Sequence, residues 1–396
     1  MEHRKYAERP KQKKASLADQ GEKERLGIYI HIPFCARKCA YCDFLSAPAG
    51  SETISRYVEA VKQEIREAAE LGGKYRAATV FFGGGTPSLM EGRQTAEILE
   101  ELSRHIVLEA GAEITVECNP GTLTEEKLGA YRAAGVNRLS LGLQSADDSE
   151  LRLLGRIHSY QDFLKSYELA RKKGFENLNV DLMSALPGQT REGWLCTLQK
   201  VADLEPEHIS AYSLMIEEGT PFYEKYREGG PCSRELPDED TDRRMYEDTK
   251  QFLGSRGYER YEISNYAKPG YACQHNLSYW ERVDYKGFGI GASSLIHGVR
   301  YQNSSDLDAW LQGNFSYESV IPLSRKDILE ETMFLGLRKM EGVVLTEQIR
   351  VVYGGLIERL VREGLLLQKE NRIFLTDRGI DVSNYVLSEF LLDEEI

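Results

Sequence analysis

The chain has 396 residues, of which 41% are hydrophobic and 29% charged, and its 50 Lys and Arg against 63 Asp and Glu give a formal net charge of −13. This composition is typical of a globular protein and excludes a disordered, collagen-like or disulfide-stapled chain. The acidic balance disfavours a general nucleic-acid or anionic-membrane binder, and no apolar run approaches the roughly 20 residues that cross a bilayer. We therefore expect two or three globular domains and no nucleic-acid partner.

Residues 1–26 are polar and mixed in charge, without apolar periodicity, which predicts a flexible tail. The first residues are charged, unlike the apolar stretch of a secretory signal. The acidic residues of this segment are also atypical of a mitochondrial presequence. We therefore expect a cytoplasmic protein.

From Gly27 to about residue 215, short apolar segments alternate with segments of helical period. The strand-like segments are 27–32, 78–82, 113–118, 137–143, 177–183 and 208–214, and the helical segments are 54–71, 95–106, 125–134, 160–173 and 192–204. This alternation predicts βα units around a parallel sheet, and six units are too few to close an eight-stranded barrel. We predict an α/β fold in which residues 27–215 form a partial (βα)6 barrel, with functional loops at the carboxyl ends of the strands.

The alternation stops near residue 215, and residues 216–324 are predicted to extend the barrel with mixed helices and strands. Residues 325–396 are predicted to form a helical, winged-helix-like C-terminal domain. Its expected elements are helices at 326–337, 346–352 and 356–363, followed by a hairpin of 365–368 and 372–375. Because this segment has a net negative charge, DNA binding by this domain is disfavoured.

Three of the seven cysteines, Cys35, Cys39 and Cys42, follow the first predicted strand with CxxxCxxC spacing. Three thiolates on one loop can ligate three irons of a [4Fe–4S] cluster and leave the fourth iron open to a small molecule. A structural zinc site needs four ligands, usually from two CxxC-like pairs, and ordinary [4Fe–4S] electron carriers use four cysteines. The spacing therefore favours a three-cysteine [4Fe–4S] cluster.

A CxxxCxxC loop in the first unit of a six-unit βα chain resembles the radical S-adenosylmethionine superfamily. The segment before it, Tyr-Ile-His-Ile-Pro-Phe-Cys at 29–35, is similar to the branch that contains the oxygen-independent coproporphyrinogen III dehydrogenases and the HemW-type heme chaperones. In this superfamily the open iron binds the methionine part of S-adenosylmethionine, and one electron from the cluster yields a 5′-deoxyadenosyl radical. The resemblance implies a [4Fe–4S] cluster, S-adenosylmethionine and a low-potential electron donor.

The resemblance also assigns side chains to the cofactor. The family positions near S-adenosylmethionine correspond here to Tyr29, Gly84, Gly85, Thr86, Glu117, Gln144, Arg156 and Asp181. The glycine-rich loop at 83–87 is expected to meet the methionine amino group, Glu117 the nucleoside and Gln144 the ribose. Arg156 is expected to pair with the carboxylate, because a guanidinium can bind a carboxylate through two hydrogen bonds. Taken singly, each residue also has an ordinary packing interpretation.

Two features separate the members of this branch. The dehydrogenases carry a fourth cysteine two positions after the third, where this chain has Phe44, as in the chaperone subgroup. His-Asn-Leu-Ser-Tyr-Trp at 275–280 matches the HNxxYW motif associated with heme binding in the chaperones. Imidazole and thiolate are both common axial ligands of heme iron, so we predict His275 as the heme ligand, with Cys273 as a weaker candidate on the same strand face. In the glycine-rich strand expected at 287–294, Ser293 replaces the family histidine.

The resemblance thus implies a heme chaperone that binds S-adenosylmethionine and a [4Fe–4S] cluster, captures heme and delivers it to a hemoprotein. The acceptor can be a membrane-associated protein, although no transmembrane segment is predicted in this chain. The alternative is an oxygen-independent coproporphyrinogen III dehydrogenase, which makes protoporphyrinogen IX by radical decarboxylation. Phe44 and the HNxxYW segment favour the chaperone, while the question of whether the chain is also an enzyme stays open.

Overall fold

The computed structural model describes residues 23–393. Most of the predicted tail, residues 1–22, lies outside this range, and the first strand begins at Glu24, three residues before the predicted start at Gly27. Within residues 23–393, none of the helices combines the length and the apolar character that crossing a membrane requires.

The first half of the described chain alternates strands and helices. The strands are β1 (Glu24–Ile32), β2 (Tyr75–Gly84), β3 (Val107–Cys118), β4 (Arg138–Gln144), β5 (Leu178–Ser184) and β6 (His208–Ser213). The helices are α1 (Ser51–Glu67), α2 (Leu71–Lys74), α3 (Gly92–His105), α4 (Glu125–Ala133), α5 (Asp148–Leu153), α6 (Tyr160–Lys172) and α7 (Arg191–Ala202). Each strand from β1 to β5 pairs in parallel with the next one, so the predicted α/β partial barrel is confirmed.

Strand β4 shows why this sheet offers a binding site. Its leucines at 139, 141 and 143 join the hydrophobic core beneath the helices. Ser140, Gly142 and Gln144 alternate with them and face the barrel interior. One face of the strand therefore stabilises the fold, and the other presents polar groups to a cavity.

The second half of the sheet is added at both edges of the barrel. Its elements are α8 (Pro221–Tyr226), α9 (Glu239–Ser255), β7 (Glu259–Arg260), β8 (Asn265–Ala267), α10 (Gln274–Trp280), β9 (Tyr285–Phe288), β10 (Ser293–Ile296), β11 (Val299–Asn303), α11 (Leu307–Leu311) and β12 (Tyr317–Pro322). The strand order is β12-β11-β10-β9-β1-β2-β3-β4-β5-β6-β8-β7. Strand β9 pairs in parallel with β1, and β10 to β12 follow as an antiparallel meander.

Two predictions in this region are wrong. The glycine-rich segment at 287–294 is two strands, β9 and β10, because Gly289 and Gly291 adopt φ of +99° and +65° and turn the chain between them. Cys273 and His275 do not lie on a strand, since Cys273 precedes the first turn of α10 and His275 lies within that helix. Packing inside the barrel stabilises this short helix.

The C-terminal region has a hydrophobic core of its own, formed by residues between Leu329 and Phe390. Its elements are α12 (Arg325–Gly336), β13 (Val343–Val344), α13 (Glu347–Arg362), β14 (Leu366–Lys369), β15 (Arg372–Leu375), α14 (Asp377–Asp381) and α15 (Ser383–Ser388). The hairpin of β14 and β15 is confirmed, and β13 adds a third strand to it. The two predicted helices at 346–352 and 356–363 are one helix, because Gly354 and Gly355 are accommodated within it.

Candidate functional site

A cavity of about 570 Å³ opens at the carboxyl ends of the barrel strands. Its lining includes the predicted residues Cys35, Cys39, Cys42, Gly84, Gly85, Thr86, Glu117, Gln144, Arg156 and Asp181. Tyr29 lines a smaller neighbouring cavity of about 400 Å³, which shares Gly84 and Glu117 with the first. The structure therefore brings together the residues expected at the cluster and at S-adenosylmethionine. We call the larger space the cofactor cavity.

The three cysteines lie on the loop that follows β1, and their side chains are all partly exposed. Backbone hydrogen bonds anchor the loop: the Cys35 amide donates to Ala47, and the Ala40 amide donates to Leu154, each at 3.1 Å. Two side chains approach the sulfurs, since Thr86 Oγ1 lies 3.6 Å from Cys35 Sγ and Arg156 Nη1 lies 3.6 Å from Cys39 Sγ. The loop is thus anchored by backbone hydrogen bonds, and two of its three sulfurs have a polar side chain beside them.

The glycine-rich loop passes close to the end of β1, and its glycines are required there. Gly84 has φ of +107°, and a Cβ at this position would lie 2.5 Å from the ring of His31. A Cβ at Gly85 would lie 2.6 Å from the carbonyl oxygen of Phe34. The Gly85 and Thr86 amides donate to Ile32 and Phe34 at 2.8 and 2.7 Å. Gly84 and Gly85, both partly exposed, also line the cofactor cavity, so this wall of the cavity is formed by backbone rather than by long side chains.

Arg156 and Gln144 also line the cofactor cavity. The guanidinium of Arg156 donates to Asn119 Oδ1 at 2.8 Å and also to the carbonyl oxygen of Gly142. Gln144 is a buried non-glycine residue with φ of +72°, a conformation that costs energy and is common at binding sites. Its Oε1 accepts a hydrogen bond from the hydroxyl of Tyr212 at 3.0 Å. These contacts fix the positions of a cation and an amide in the cavity.

Two acidic side chains share the deeper part of the cavity. Asp181 accepts hydrogen bonds from Ser140 at 3.0 Å and from Asn179 at 2.7 Å, and burial raises its pKa. Glu117 accepts one from the Gly84 amide at 3.3 Å. Burial, with the nearby charge of Asp181, raises the pKa of Glu117 to about 8. Glu117 is therefore largely protonated at neutral pH. In this form its carboxyl group can both donate and accept hydrogen bonds, which suits a ligand with hydroxyl groups.

Tyr29 and His31 share one face of β1, as their spacing predicts. The Tyr29 hydroxyl lies 3.1 Å from His31 Nδ1, and the other ring nitrogen of His31 lies 2.9 Å from the carbonyl oxygen of Leu45. The Tyr29 ring stacks beside that of His275, with centroids 6.4 Å apart. Tyr29 therefore connects the cofactor side of the barrel with the HNxxYW helix α10.

His275 lies inside the barrel and is only 1% exposed. Its Nδ1 is 2.8 Å from Thr79 Oγ1, its Nε2 is 3.0 Å from the Tyr279 hydroxyl, and its ring stacks on Phe81 with centroids 5.0 Å apart. Burial, followed by the positive charge of Arg138, lowers the pKa of His275 to about 3. The imidazole is therefore neutral at physiological pH, and both of its nitrogens are engaged within the protein.

Cys273 is 0% exposed at the start of α10. Its Sγ donates to Glu113 Oε1 at 3.4 Å, and the backbone amide of His275 donates to the same oxygen at 3.2 Å. Burial raises the pKa of the Cys273 thiol to about 12, against the opposing charge of Arg138, so the group is a thiol at neutral pH. The structure brings Cys273 and His275 together at Glu113, but neither lines the cofactor cavity.

Other residues of α10 reach the two cavities. Asn276 lines the cofactor cavity, and Tyr279, one helical turn later, lines the neighbouring one. Asn276, Asn119 and Tyr212 were not predicted as cavity residues. Two of them carried a signal in the sequence, since Asn276 belongs to the HNxxYW motif and Asn119 follows Glu117 by two residues at the end of a strand. The position of Tyr212 depends on tertiary packing.

Comparison with known proteins agrees with this geometry. The model of the radical SAM superfamily matches residues 29–201, and that of the HemN C-terminal domain matches residues 323–382. The fold is also that of the coproporphyrinogen III oxidase HemN from Escherichia coli, a radical SAM enzyme, with a TM-score of 0.78 and 24% identity over 93% of this chain and 90% of that one. The fold and the cavity together define a radical SAM protein, and the three thiols, the glycine wall and the buried guanidinium fit the [4Fe–4S] cluster and S-adenosylmethionine that this class carries.

Relatives with a higher sequence identity to this chain define its family more precisely. Heme chaperone HemW from Lactococcus lactis is 36% identical over 92% of this chain and 97% of that protein. Heme chaperone HemW from Escherichia coli is 36% identical over 93% of this chain and 98% of that protein. The chain belongs to the HemW family.

Proposed function

We propose that this chain is a heme chaperone, which holds a [4Fe–4S] cluster and S-adenosylmethionine, captures heme and delivers it to a hemoprotein. Relatives named heme chaperones match it along more than nine tenths of its length. One structural observation carries the proposal: the HNxxYW helix α10 packs inside the barrel and contributes Asn276 and Tyr279 to the cofactor cavity and its neighbour. This arrangement supports a function in which heme and the cofactors bind in one region of the molecule.

For the cofactors, we assign the cluster to Cys35, Cys39 and Cys42. When bound, the cluster and S-adenosylmethionine supply one-electron reduction and cleavage of the sulfonium bond. Arg156 lies beside Cys39 Sγ, where it can neutralise the carboxylate of S-adenosylmethionine. The remaining wall residues orient the ligand, with Gly84, Gly85 and Thr86 at the methionine amino group, Glu117 and Gln144 at the nucleoside, and Tyr29 and Asp181 close to it.

For heme, we propose His275 as the iron ligand. The hydrogen bonds around its ring limit how heme can bind. The ring is neutral, as iron ligation requires, but Nε2 is hydrogen-bonded to Tyr279 and Nδ1 to Thr79. Heme iron can therefore reach Nε2 only after the Tyr279 hydroxyl moves away. Cys273 is the weaker candidate, because it is a buried thiol and thiolate is the ligating form.

The partners that this function requires are a low-potential electron donor and a hemoprotein acceptor. We expect both in the cytoplasm, a reducing compartment. All seven cysteines are free, and reducing conditions keep such thiols available for iron.

The second candidate function is the oxygen-independent coproporphyrinogen III dehydrogenase. The similarity to HemN supports the shared fold. Against this candidate stands Phe44, which occupies the position of the dehydrogenases' fourth cysteine and is 60% exposed at the cofactor cavity. With a phenyl ring at this position, the loop lacks the fourth thiol that the dehydrogenases have there.

Anaerobic reconstitution of the cluster followed by heme titration tests the proposal. We expect stoichiometric heme uptake, observed as a Soret band, and its loss in His275→Ala. The matched control is His105→Ala, because His105 lies on α3 and bonds only to Glu101 among the described residues. Absence of heme uptake by the reconstituted wild-type protein would contradict the proposal.

A further inference from the structure

A third cavity, of about 420 Å³, lies between the carboxyl end of α1 and strands β9 to β12. Tyr285 and Lys286 are consecutive residues of β9, so their side chains point to opposite faces of the sheet. Tyr285 lines the cavity next to the cofactors, whereas Lys286 lines this one. The sheet therefore separates this space, which we call the α1–β9 cavity, from the cofactor cavity.

Lys286 is the unusual residue of the α1–β9 cavity, because it is a lysine with only 7% of its surface exposed. Its Nζ lies 4.0 Å from Glu64 Oε1, beyond hydrogen-bond distance, and over the rings of Phe288 and Tyr317 at 5.3 and 5.4 Å from their centroids. Among residues 23–393, Nζ donates no hydrogen bond. A buried ammonium with unused donors is costly unless something in the cavity accepts them.

Glu64, unlike Lys286, has hydrogen-bond partners for its charged group. Its Oε2 accepts a hydrogen bond from the Gly289 amide at 2.7 Å, and its Oε1 accepts one from Asn303 Nδ2 at 2.8 Å. Glu64 is therefore held in place by its own donors and balances the charge of Lys286 from a distance. The unused N–H donors of Lys286 remain for an oxygen atom of a ligand.

The rest of the lining indicates the shape and charge of that ligand. Tyr301, Phe315 and Tyr317 present aromatic surface, and the rings of Tyr301 and Tyr317 have centroids 5.1 Å apart. Glu67 and Glu70, both exposed, lie at the rim. Aromatic walls favour a planar apolar body, and acidic residues at the rim disfavour a polyanion.

We propose that the α1–β9 cavity binds a planar aromatic monocarboxylate, whose carboxylate accepts hydrogen bonds from Lys286 and whose ring packs against Tyr301, Phe315 and Tyr317. This site is independent of the heme-chaperone proposal, because it contains no residue of the cofactor cavity.

The charges around Lys286 predict how binding depends on pH. Glu64 and the rim residues Glu67 and Glu70 face it from the α1 side, and Tyr301 and Tyr317 face it from β11 and β12. Burial raises the pKa of Glu64 to about 7, against the attraction of Lys286. Because Glu64 and a ligand carboxylate compete for one cation, protonation of Glu64 favours the ligand, and binding is tighter at pH 6 than at pH 8.

Three probes with the same ring test the site on the full chain: 2-naphthoate, neutral 2-naphthalenemethanol and cationic 2-naphthylmethylamine. By isothermal titration, the carboxylate is expected to bind at least tenfold more tightly than the alcohol, and the amine most weakly. Lys286→Met should abolish the tenfold preference. The double variant Lys286→Met/Glu64→Gln, which leaves no isolated buried charge, should do the same, and circular dichroism verifies that each variant is folded.

Equal affinity of the three probes would overturn the proposal, as would an absence of binding by any of them. Retention of the carboxylate preference in a folded Lys286→Met protein or in the folded double variant would also overturn it.

Discussion

At the scale of single residues, the pKa values of two buried groups, Glu117 and His275, are shifted far from their ordinary values. Glu117, in the wall of the cofactor cavity, is largely protonated at neutral pH, with a pKa of about 8. His275, below the cavity, is neutral, with a pKa of about 3. Burial is the main cause in both cases, because it disfavours the charged form of either group. Each of these two groups is therefore mainly uncharged at neutral pH.

The pKa of Glu117 predicts a pH-dependent stability. A carboxyl group whose pKa is raised by folding contributes stability below its unfolded value of 4.5, and this contribution is lost as the pH rises through about 8. Without S-adenosylmethionine, Glu117→Gln should match the wild type at pH 5 and exceed it at pH 8 by about 1–3 kcal/mol in the free energy of unfolding. Urea denaturation at the two pH values measures this difference.

Glu126→Gln is the matched control, because Glu126 is exposed on α4. Its effect should be small and equal at both pH values. If Glu117→Gln changes stability by the same amount at pH 5 and pH 8, the raised pKa of Glu117 is wrong.

The contact between His275 and Tyr279 predicts the effect of a second substitution. Tyr279→Phe removes the hydroxyl that occupies Nε2 at 3.0 Å and leaves the ring in place. If His275 ligates heme, the variant should bind heme faster than the wild type, as measured by stopped-flow absorbance of the Soret band. Because the pKa of His275 is about 3, this rate should not fall between pH 8 and pH 5 through protonation of the ring.

Tyr285→Phe is the control for this substitution, since Tyr285 packs edge-to-face on Tyr279 with centroids 4.7 Å apart and loses only a hydroxyl. Unchanged heme binding in both Tyr279→Phe and His275→Ala would show that heme does not bind through His275. In that case the motif positions the cavity walls instead.

At the scale of secondary-structure elements, the glycine-rich loop after β2 predicts a further effect. Gly85→Ala would place a methyl group 2.6 Å from the Phe34 carbonyl oxygen, so the loop and the adjacent Cys35 must separate. We expect a marked loss of reconstituted cluster, measured as iron per chain and absorbance near 400 nm. Gly129→Ala, in helix α4 with open space around the added methyl group, should retain the cluster and gain roughly 0.5–1 kcal/mol in stability. Normal cluster content in Gly85→Ala would contradict this role of the loop.

The elements also show what could be predicted from the sequence. The six barrel strands were predictable because each combines apolar residues with a following turn, and the observed strands overlap all six predictions. Helix α10 was not predictable, because a seven-residue segment forms a helix only where Glu113, Thr79 and Phe81 hold it. The CxxxCxxC spacing predicted that three thiols lie together on one loop, and the structure has them at one cavity, whereas nothing in the spacing of the HNxxYW motif revealed that His275 is enclosed.

At the scale of the whole molecule, the HNxxYW helix connects the barrel to the C-terminal region. The guanidinium of Arg338 stacks over Trp280 at 4.7 Å, and Lys339 forms an ion pair with Glu281 at 2.9 Å. Arg282 reaches Glu331 on α12, also at 2.9 Å. The last residue of α10 and the two residues that follow it therefore link this helix to the C-terminal region.

Whether the chain captures heme and delivers it to another protein can be measured in one transfer experiment. The reconstituted protein, loaded with heme under anaerobic conditions, is mixed with apomyoglobin as a model acceptor, and the Soret spectrum is followed over time. We expect transfer of heme to the acceptor and, in parallel samples with S-adenosylmethionine and a reductant, no vinyl product from coproporphyrinogen III. Conversion of coproporphyrinogen III to protoporphyrinogen IX without heme uptake or transfer would contradict it.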